Sequence, residues 1–499
     1  MATIVHVIER FSSGGPERAL LTTVKYANRM GLEQRHIVCA LEAAASPIAL
    51  RHARRLGVSV YRQPDKETLR QRLAQADVVV LHFWNNPAVY EFLRGDWPAM
   101  RLLLWAAVYG HQPPQIIPRE VVDFADRVLV TTPGSLQLSS FSQVEPDKVG
   151  LLYSPIDVDR LQGFTPRSHN TFNVGYIGTV NFTKMHPRYV SMSTAVSIAN
   201  VRFIVVGGGP QDELARQVQQ LGVLDRFDFR GHVEDIRSVL EILDVFGYPL
   251  CEDTYAAAEQ ALLEAMWVGV PPVVFPYGGI EALVTHRQTG WVVHSEEEYT
   301  QALEFLYAHP EERQRLGENA RQYVRRTFDP QSIVQELARI FQHLQQQPKR
   351  QRTWPTNEKR PAAWFVQALG TQAGSFAVSL NEKAWPELLA ADEAIAKASV
   401  NLRGGEGGII HYRNHYPHEP YLRLWTGLVL EAQGHEQKAL AEYTAAVELG
   451  FDHWRAHWYI ARIAQRLQQP QLALQAVQTV VQKQRDFGPG HTLLKKFTQ

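Results

Sequence analysis

Glu259-Gln260-Ala261-Leu262-Leu263-Glu264-Ala265-Met266, followed by Gly269-Val270-Pro271, reads as a helix that gives way at a Gly-Val-Pro turn to an apolar strand over 272–275. It places one carboxylate at the helix opening and a second five residues later. Working outward, the same alternation of helix and apolar run recurs along most of the chain. Asp77-Val78-Val79-Val80-Leu81 is a continuous apolar run of the kind that suits a strand covered on both faces of a parallel sheet. Strands are expected at 3–8, 36–41, 58–62, 77–83, 101–108, 127–132 and 149–153. After a polar break near 163–171 the pattern restarts, with strands expected at 173–178, 202–206, 227–230, 244–249, 272–275 and 291–293, and a closing helix at 331–345. Strands alternating with helices predict an α/β fold of two tandem Rossmann-like domains, 1–162 and 163–345.

The 499 residues allow two or three domains, and 45% hydrophobic content allows a large core. Lys plus Arg and Asp plus Glu balance at 51 each, which argues against a protein that wraps nucleic acid. Cys39 and Cys251 lie in apolar runs, so no disulfide framework is expected and a cytoplasmic setting fits. The N-terminus enters a strand at once, with no leader pattern, and no apolar run approaches the roughly 20 residues of a membrane span. At most, peripheral contact at the inner face of a membrane is expected. Arg51, Arg54 and Arg55 could touch anionic headgroups, although such clusters more often mark a solvated helix face.

Residues 346–362 are rich in Gln, Pro, Lys and Arg and read as a linker. The remainder, 363–499, is an all-α region with an internal repeat. Gly427, Ala439, Tyr443 and Ala446 are followed 34 residues later by Ala461, Ala473, Val477 and Val480. Small residues at that period resemble tetratricopeptide repeats, whose paired helices approach closely. Trp425, Trp454 and Trp458 either pack between these helices or line an exposed groove for a protein partner.

Several strand ends carry groups suited to a phosphorylated ligand. Ser12-Ser13-Gly14-Gly15-Pro16-Glu17-Arg18 opens a helix, where glycines admit a ligand to the backbone and the helix N-terminus favours an anion. A plain strand-to-helix turn is the competing reading. Lys184 follows Gly178-Thr179 beyond a strand and could neutralise a phosphate, though a loop lysine is usually just solvated. Gly207-Gly208-Gly209-Pro210 is either a ligand loop or a tight turn, with the turn favoured. Glu259 and Glu264 can accept hydrogen bonds from sugar hydroxyls, while Gly278-Gly279 could add a backbone cradle.

Taken in order, these motifs resemble the retaining GT-B glycosyltransferases of family four, over about residues 1–345. Gly14 to Arg18 match the family's Gly-Gly-x-Glu-Arg loop, 207–210 its Gly-x-Gly-Pro loop, and Glu264 to Pro271 its Glu-Ala-Met-x-x-Gly-x-Pro ending. The resemblance implies transfer of a sugar from a nucleoside diphosphate sugar, with retention, without metal and without a resident cofactor. It implies catalytic roles for Lys184, Glu259, His111 and His82. Donor contacts are implied at Gly14, Gly15, Thr179, Arg188, Gly208, Val233, Glu264, Gly278 and Gly279. The acceptor would be a glycan, a lipid-linked saccharide or a protein. Two departures stand out. Thr179 replaces the family's arginine, for which Arg188 is the nearby substitute, and Ala256 stands where the first glutamate of the pair belongs, leaving Glu259 to reach the sugar. Asp157-Val158-Asp159 has the form of a metal-binding pair but reads better as the connector into the second domain. For each of His82 and His111, a polar loop histidine or a satisfied core histidine is an equal reading. A transferase fold that has lost catalysis and binds partners through its helical tail is the alternative function.

Overall fold

The computed structural model describes residues 1–209, 212–381 and 383–498. Pro210, the last residue of the Gly-x-Gly-Pro loop, lies outside them. The first sheet comprises β1 (Ala2–Ile8), β2 (Gln34–Ala40), β3 (Ser59–Arg62), β4 (Val78–Phe83), β5 (Leu102–Ala106), β6 (Arg127–Val130) and β7 (Val149–Leu151). Its order is β3-β2-β1-β4-β5-β6-β7, and every pairing is parallel. The second comprises β8 (Phe172–Ile177), β9 (Val201–Val206), β10 (Phe227–Gly231), β11 (Val245–Tyr248), β12 (Pro272–Val274) and β13 (Trp291–Val292), in the parallel order β10-β9-β8-β11-β12-β13.

Each of these strands falls on an apolar run expected from the sequence. The reason is visible in β4, whose six residues are all buried and therefore cannot alternate with polar ones. In both sheets the strand order reverses beside the first strand, between β1 and β4 and between β8 and β11. Loops that leave neighbouring strand ends in opposite directions open a crevice there. The opening helix-turn-strand stretch forms as read. Helix Gln260–Val268 ends at Gly269, whose φ of +88° is a left-handed conformation that glycine adopts at little cost, and the chain re-enters the sheet at Pro272.

The chain divides into two compact units. The first, residues 1–84, 94–115 and 119–353, holds both sheets. The second gathers 85–93 and 116–118 with 354–499 and is helical. Within the second unit, helices Pro420–Ala432 and Glu436–Glu448 form one antiparallel pair. Trp454–Arg466 and Pro470–Lys483 form the next, at the spacing of the sequence repeat. Gly427 is explained by contact: a Cβ there would lie 2.4 Å from the Tyr443 ring. A buried network ties the pairs to the helices before them. Arg455 donates to Asp392 Oδ1 at 2.8 Å and to Ser379 O at 2.9 Å, and the Tyr459 hydroxyl donates to Asp392 Oδ2 at 2.8 Å.

Two readings become more definite here. Trp425 and Trp454 are buried, Trp425 completely, so they fill the helical core and line no groove. Residues 346–362 are not a loose spacer. Arg350 exchanges backbone hydrogen bonds with Met100 at 3.0 and 3.1 Å, and Arg352 is buried against Asp126 and the Phe124 carbonyl. Apolar content alone does not report this, because the segment is held by guanidinium and backbone hydrogen bonds.

Candidate active site

The site is built where loops beyond β1, β8 and β11 converge within the first unit. Lys184 lies in the loop after β8, and its Nζ is 2.8 Å from Glu259 Oε2. The same carboxylate oxygen accepts from the Tyr248 hydroxyl at 2.5 Å, at the end of β11. The loop after β8 is pinned by its backbone, since Cys251 N donates to Lys184 O at 2.8 Å. Burial opposes the charge on Lys184, but Glu259, Tyr255 and Cys251 together outweigh that, and its pKa is raised above the ordinary lysine value. Burial, then Glu259, pushes the Tyr248 phenol well above its usual range. The lysine is thus a permanent, oriented cation.

A second cluster forms around Glu264, one turn further along the same helix and almost fully buried. Its Oε1 receives Arg18 from the first domain and Arg160, at 3.3 Å, from the connector. Burial lowers the Arg18 pKa, with Glu264 acting the other way. The other oxygen, Oε2, is buried and has no partner among the described residues. A carboxylate oxygen left unpaired there costs free energy that a donor hydroxyl would recover. Gly14 and Gly15 complete this face. Gly15 O accepts from Gln260 Nε2 at 3.1 Å, space beyond the Gly15 α-carbon is open, and the helix Gly15–Arg29 has no side-chain cap at its N-terminus.

The remaining expected residues sort less evenly. Thr179 stands beside the crevice, its carbonyl accepting from the Tyr176 hydroxyl at 2.9 Å. Gly207 and Gly208 belong to a close backbone approach: Gly208 O accepts from Val180 N at 3.0 Å, and a Cβ on Gly207 would fall 1.7 Å from Gly178 O. Gly279 gives its N–H to Ala256 O at 2.7 Å, and a Cβ there would lie 2.2 Å from Ala257 O. Both glycines of 278–279 are therefore accounted for by packing against 254–257, and Gly279 has no N–H left for a cradle. Val233 is half-buried against the core of the second domain. Arg188 is exposed and pairs with Glu296 at 2.8 Å, so it does not take the place vacated at Thr179.

His82 is not a crevice residue. It lies within β4, with its Nε2 3.0 Å from His6 Nδ1, and His6 Nε2 lies 2.9 Å from His36 Nδ1. The inward pleat of three adjacent strands makes this a buried row. His111 does reach the crevice side: its Nε2 is 3.0 Å from Gly134 O, and the adjacent Tyr109 N donates to Tyr255 O at 2.9 Å, four residues before Glu259. Asp157 and Asp159 are taken up by Lys25, at 2.7 and 2.6 Å, and Asp159 also by Arg29. They staple the connector to helix Gly15–Arg29.

The sequence motifs include neither Tyr248 nor Arg160 and give no role to Gln260 or Arg18. Arg18 stood inside a quoted motif, which was the available signal. Arg160 carried none, because one more arginine in a polar connector looks like any solvated one.

Residues 160–323 match the model of the family Glycosyl transferases group 1. That stretch holds Arg160, Lys184, Glu259 and Glu264. Over 216 residues the chain is 26% identical to the putative colanic acid biosynthesis glycosyltransferase WcaL of Salmonella typhimurium, covering 40% of this chain and 52% of that one. It is 24% identical over 311 residues to the D-inositol 3-phosphate glycosyltransferase of Corynebacterium glutamicum, covering 54% and 73%. The chain thus spans about half the length of the first relative and about three quarters of the second. Among solved structures it resembles HepE of Anabaena in complex with UDP and glucose. There the TM-score is 0.56 at 17% identity, covering 69% of this chain and all of the other, a likeness of the GT-B fold.

Proposed function

We propose that the protein is a glycosyltransferase that moves a sugar from a nucleoside diphosphate sugar to an acceptor hydroxyl with retention of configuration. The observation that carries this reading is the pair of clusters on one helix opening. Glu259 holds Lys184, and Glu264, with one buried oxygen unpaired, holds Arg18 and Arg160.

In this reading Glu264 Oε2 accepts from a ribose hydroxyl and Glu259 faces the sugar. The bond between the anomeric carbon and the diphosphate oxygen breaks, and charge accumulates on that oxygen. Lys184 and the N-terminus of helix Gly15–Arg29 stabilise it, each such donor contributing a few kcal/mol. The acceptor oxygen bonds to the anomeric carbon from the face the diphosphate leaves, and its proton passes to the departing phosphate. The protein needs no metal and no resident cofactor for these steps. UDP, present in the HepE structure, is the first nucleotide to test.

Relatives in polysaccharide assembly favour a glycan or lipid-linked saccharide as acceptor over a protein. A lipid-linked acceptor would bring the protein to the inner face of a membrane by peripheral contact. Among the described residues no helix is long and apolar enough to cross one.

The test is thermal stability against UDP-, GDP-, ADP- and dTDP-sugars in chelator. A ligand at 100 times its dissociation constant adds roughly 2.7 kcal/mol. One selective shift, lost in Lys184→Ala, is the expected result. No shift with any donor would favour a catalytically silent scaffold. Once an acceptor is found, the anomeric configuration of the product by NMR decides retention.

A further inference from the structure

Glu259 uses one carboxylate oxygen twice. Its Oε2 accepts from Lys184 Nζ at 2.8 Å and from the Tyr248 hydroxyl at 2.5 Å. A carboxylate oxygen offers two acceptor sites, so Oε2 is saturated. Oε1 has no partner among the described residues and, unlike Glu264 Oε2, is not shut off from solvent. Lys184 spends one ammonium proton on Glu259, and its other two have no partner among the described residues.

The hydroxyl that shares Oε2 is fixed by its surroundings. Tyr248 is the last residue of β11 and is fully buried. Its ring packs on Phe246 at 5.0 Å and on Tyr176, in β8, at 5.1 Å. The Tyr176 hydroxyl donates to Thr179 O at 2.9 Å, at the start of the loop that carries Lys184. Gly178 lies between the two hydroxyls: a Cβ there would sit 3.2 Å from that of Tyr248 and 3.4 Å from that of Tyr176. Any other residue at 178 crowds both. Burial, then Glu259, keeps the Tyr248 phenol protonated, so it remains a donor. The terminal torsion of a glutamate is soft. A carboxylate freed of this hydroxyl can turn, present both oxygens to Lys184 and close the pair on itself.

We propose that Tyr248 is a positioning residue for sugar transfer: with Lys184 it saturates Glu259 Oε2, so that Oε1 is kept for a sugar hydroxyl and two lysine protons are kept for the diphosphate. It acts through Glu259. The role rests on the proposed function, and every residue in it belongs to the domain of the second sheet.

Tyr248→Phe in the full chain tests it, because the ring stays and only the hydroxyl leaves. The readout is diphosphate release from UDP-, GDP-, ADP- and dTDP-sugars, measured alone and in a Glu259→Ala background. For the donor that turns over, kcat should fall about tenfold or more, the worth of one hydrogen bond to a charged group. Affinity for the matching bare diphosphate should stay within about twofold, since Lys184 keeps its remaining protons. In Glu259→Ala the same substitution should cost less than about threefold, because a hydroxyl that acts through the carboxylate then has nothing to hold. Should Tyr248→Phe fail to fold, Gly178→Ala displaces the same hydroxyl and should lower kcat likewise, again with little added cost in Glu259→Ala. A folded Tyr248→Phe with kcat within twofold of wild type would overturn the role, as would an equal loss with and without Glu259. Either result, with wild type turning over, removes this role and leaves the transferase reading standing. Wild type that releases no diphosphate from any of the four donor classes would sink the transferase reading and the role with it.

Discussion

In the second sheet the buried charged pairs lie past the strand ends: Lys184 beyond β8, Glu259 and Glu264 beyond β11. In the first sheet the most unusual polar groups lie within strands: His6 in β1, His36 in β2 and His82 in β4. The strand order of the two sheets is the same, so topology does not account for the difference. Position along the strand does. Past a strand end a charge can be kept, because a partner from another loop and an open crevice share its desolvation. Inside a strand, burial removes the charge and leaves neutral rings that must satisfy one another. With Gln34 Oε1 accepting from His36 Nε2, His36 Nδ1 accepts from His6 and His6 Nδ1 accepts from His82. Three rings then use one proton each in a single direction.

The largest expected effect separates the sheets by activity. Lys184→Ala removes the cation and leaves Glu259 buried, and should lower transfer by about 10²–10³-fold, the range seen when one charge-stabilising donor is lost. Glu264→Ala should raise the donor KM as well, and leaves Arg18 and Arg160 facing each other. His82→Phe, in contrast, should leave kcat of the folded enzyme within about twofold, since its ring is buried between His6 and Trp105. Steady-state kinetics on the three variants is the check. A His82 defect as deep as that of Lys184 would break the comparison.

The next effect separates them by pH. Burial holds His36 at about 4 and His82 at about 3, and His6 well below its usual value. The unfolded chain therefore binds protons that the folded chain refuses. Stability contributed by the neutral rings is complete above about pH 6.5 and is lost as pH falls toward the folded values. At pH 5 the loss is up to about 2 kcal/mol per ring, with coupling between rings reducing the sum. Urea unfolding at pH 7 and pH 5 measures it, and His36→Gln should flatten the slope. The lysine pair works the other way: Lys184 stays charged throughout that window, so donor binding should not follow the same curve.

What was legible in the chain follows the same division. Central strands such as β4, β5 and β8 could be located because a strand covered on both faces leaves an apolar run that nothing interrupts, and the half-exposed β3 and β7 followed from the alternation with helices. Lys184, Glu259 and Glu264 were legible because each follows such a run, where the fold opens its crevice. The histidine row was not, because parallel register, not spacing, brings residues 6, 36 and 82 together. His82 ended an apolar run, as a crevice residue would, yet β4 extends one residue past it. Arg160 and Tyr248 escaped for a related reason: their importance is a contact made across 104 and 11 residues. The insertion of 85–93 and 116–118 into the helical unit was illegible too, since an inserted helix has the same periodicity in either setting.

A smaller effect distinguishes a packing glycine from a ligand-binding one. Gly279→Ala drives a methyl to 2.2 Å from Ala257 O and should cost about 1–3 kcal/mol of stability by overpacking. Gly15→Ala meets open space and should leave stability nearly unchanged while weakening diphosphate binding. Thermal melts paired with titration of the selected diphosphate separate the two. Equal loss of stability in both variants would place Gly15 with the packing glycines and weaken the case for an anion at that helix end.

The smallest effect concerns Arg188, the arginine near Thr179 weighed as a substitute for the one absent there. Its guanidinium is exposed and pairs with Glu296 at 2.8 Å. An exposed pair of this kind contributes about 0–1 kcal/mol, so Arg188→Ala should shift the melting temperature little. It should also leave diphosphate affinity within about twofold, because the second cation near the crevice is supplied from the other side, by Arg18 and Arg160 sharing one carboxylate. Arg160→Ala, compared at equal ionic strength, should weaken the same diphosphate more than Arg188→Ala does. The reverse order would mean that the loop after β8 rearranges to bring Arg188 inward when the donor binds, and that the second sheet keeps its phosphate cations on its own strand ends.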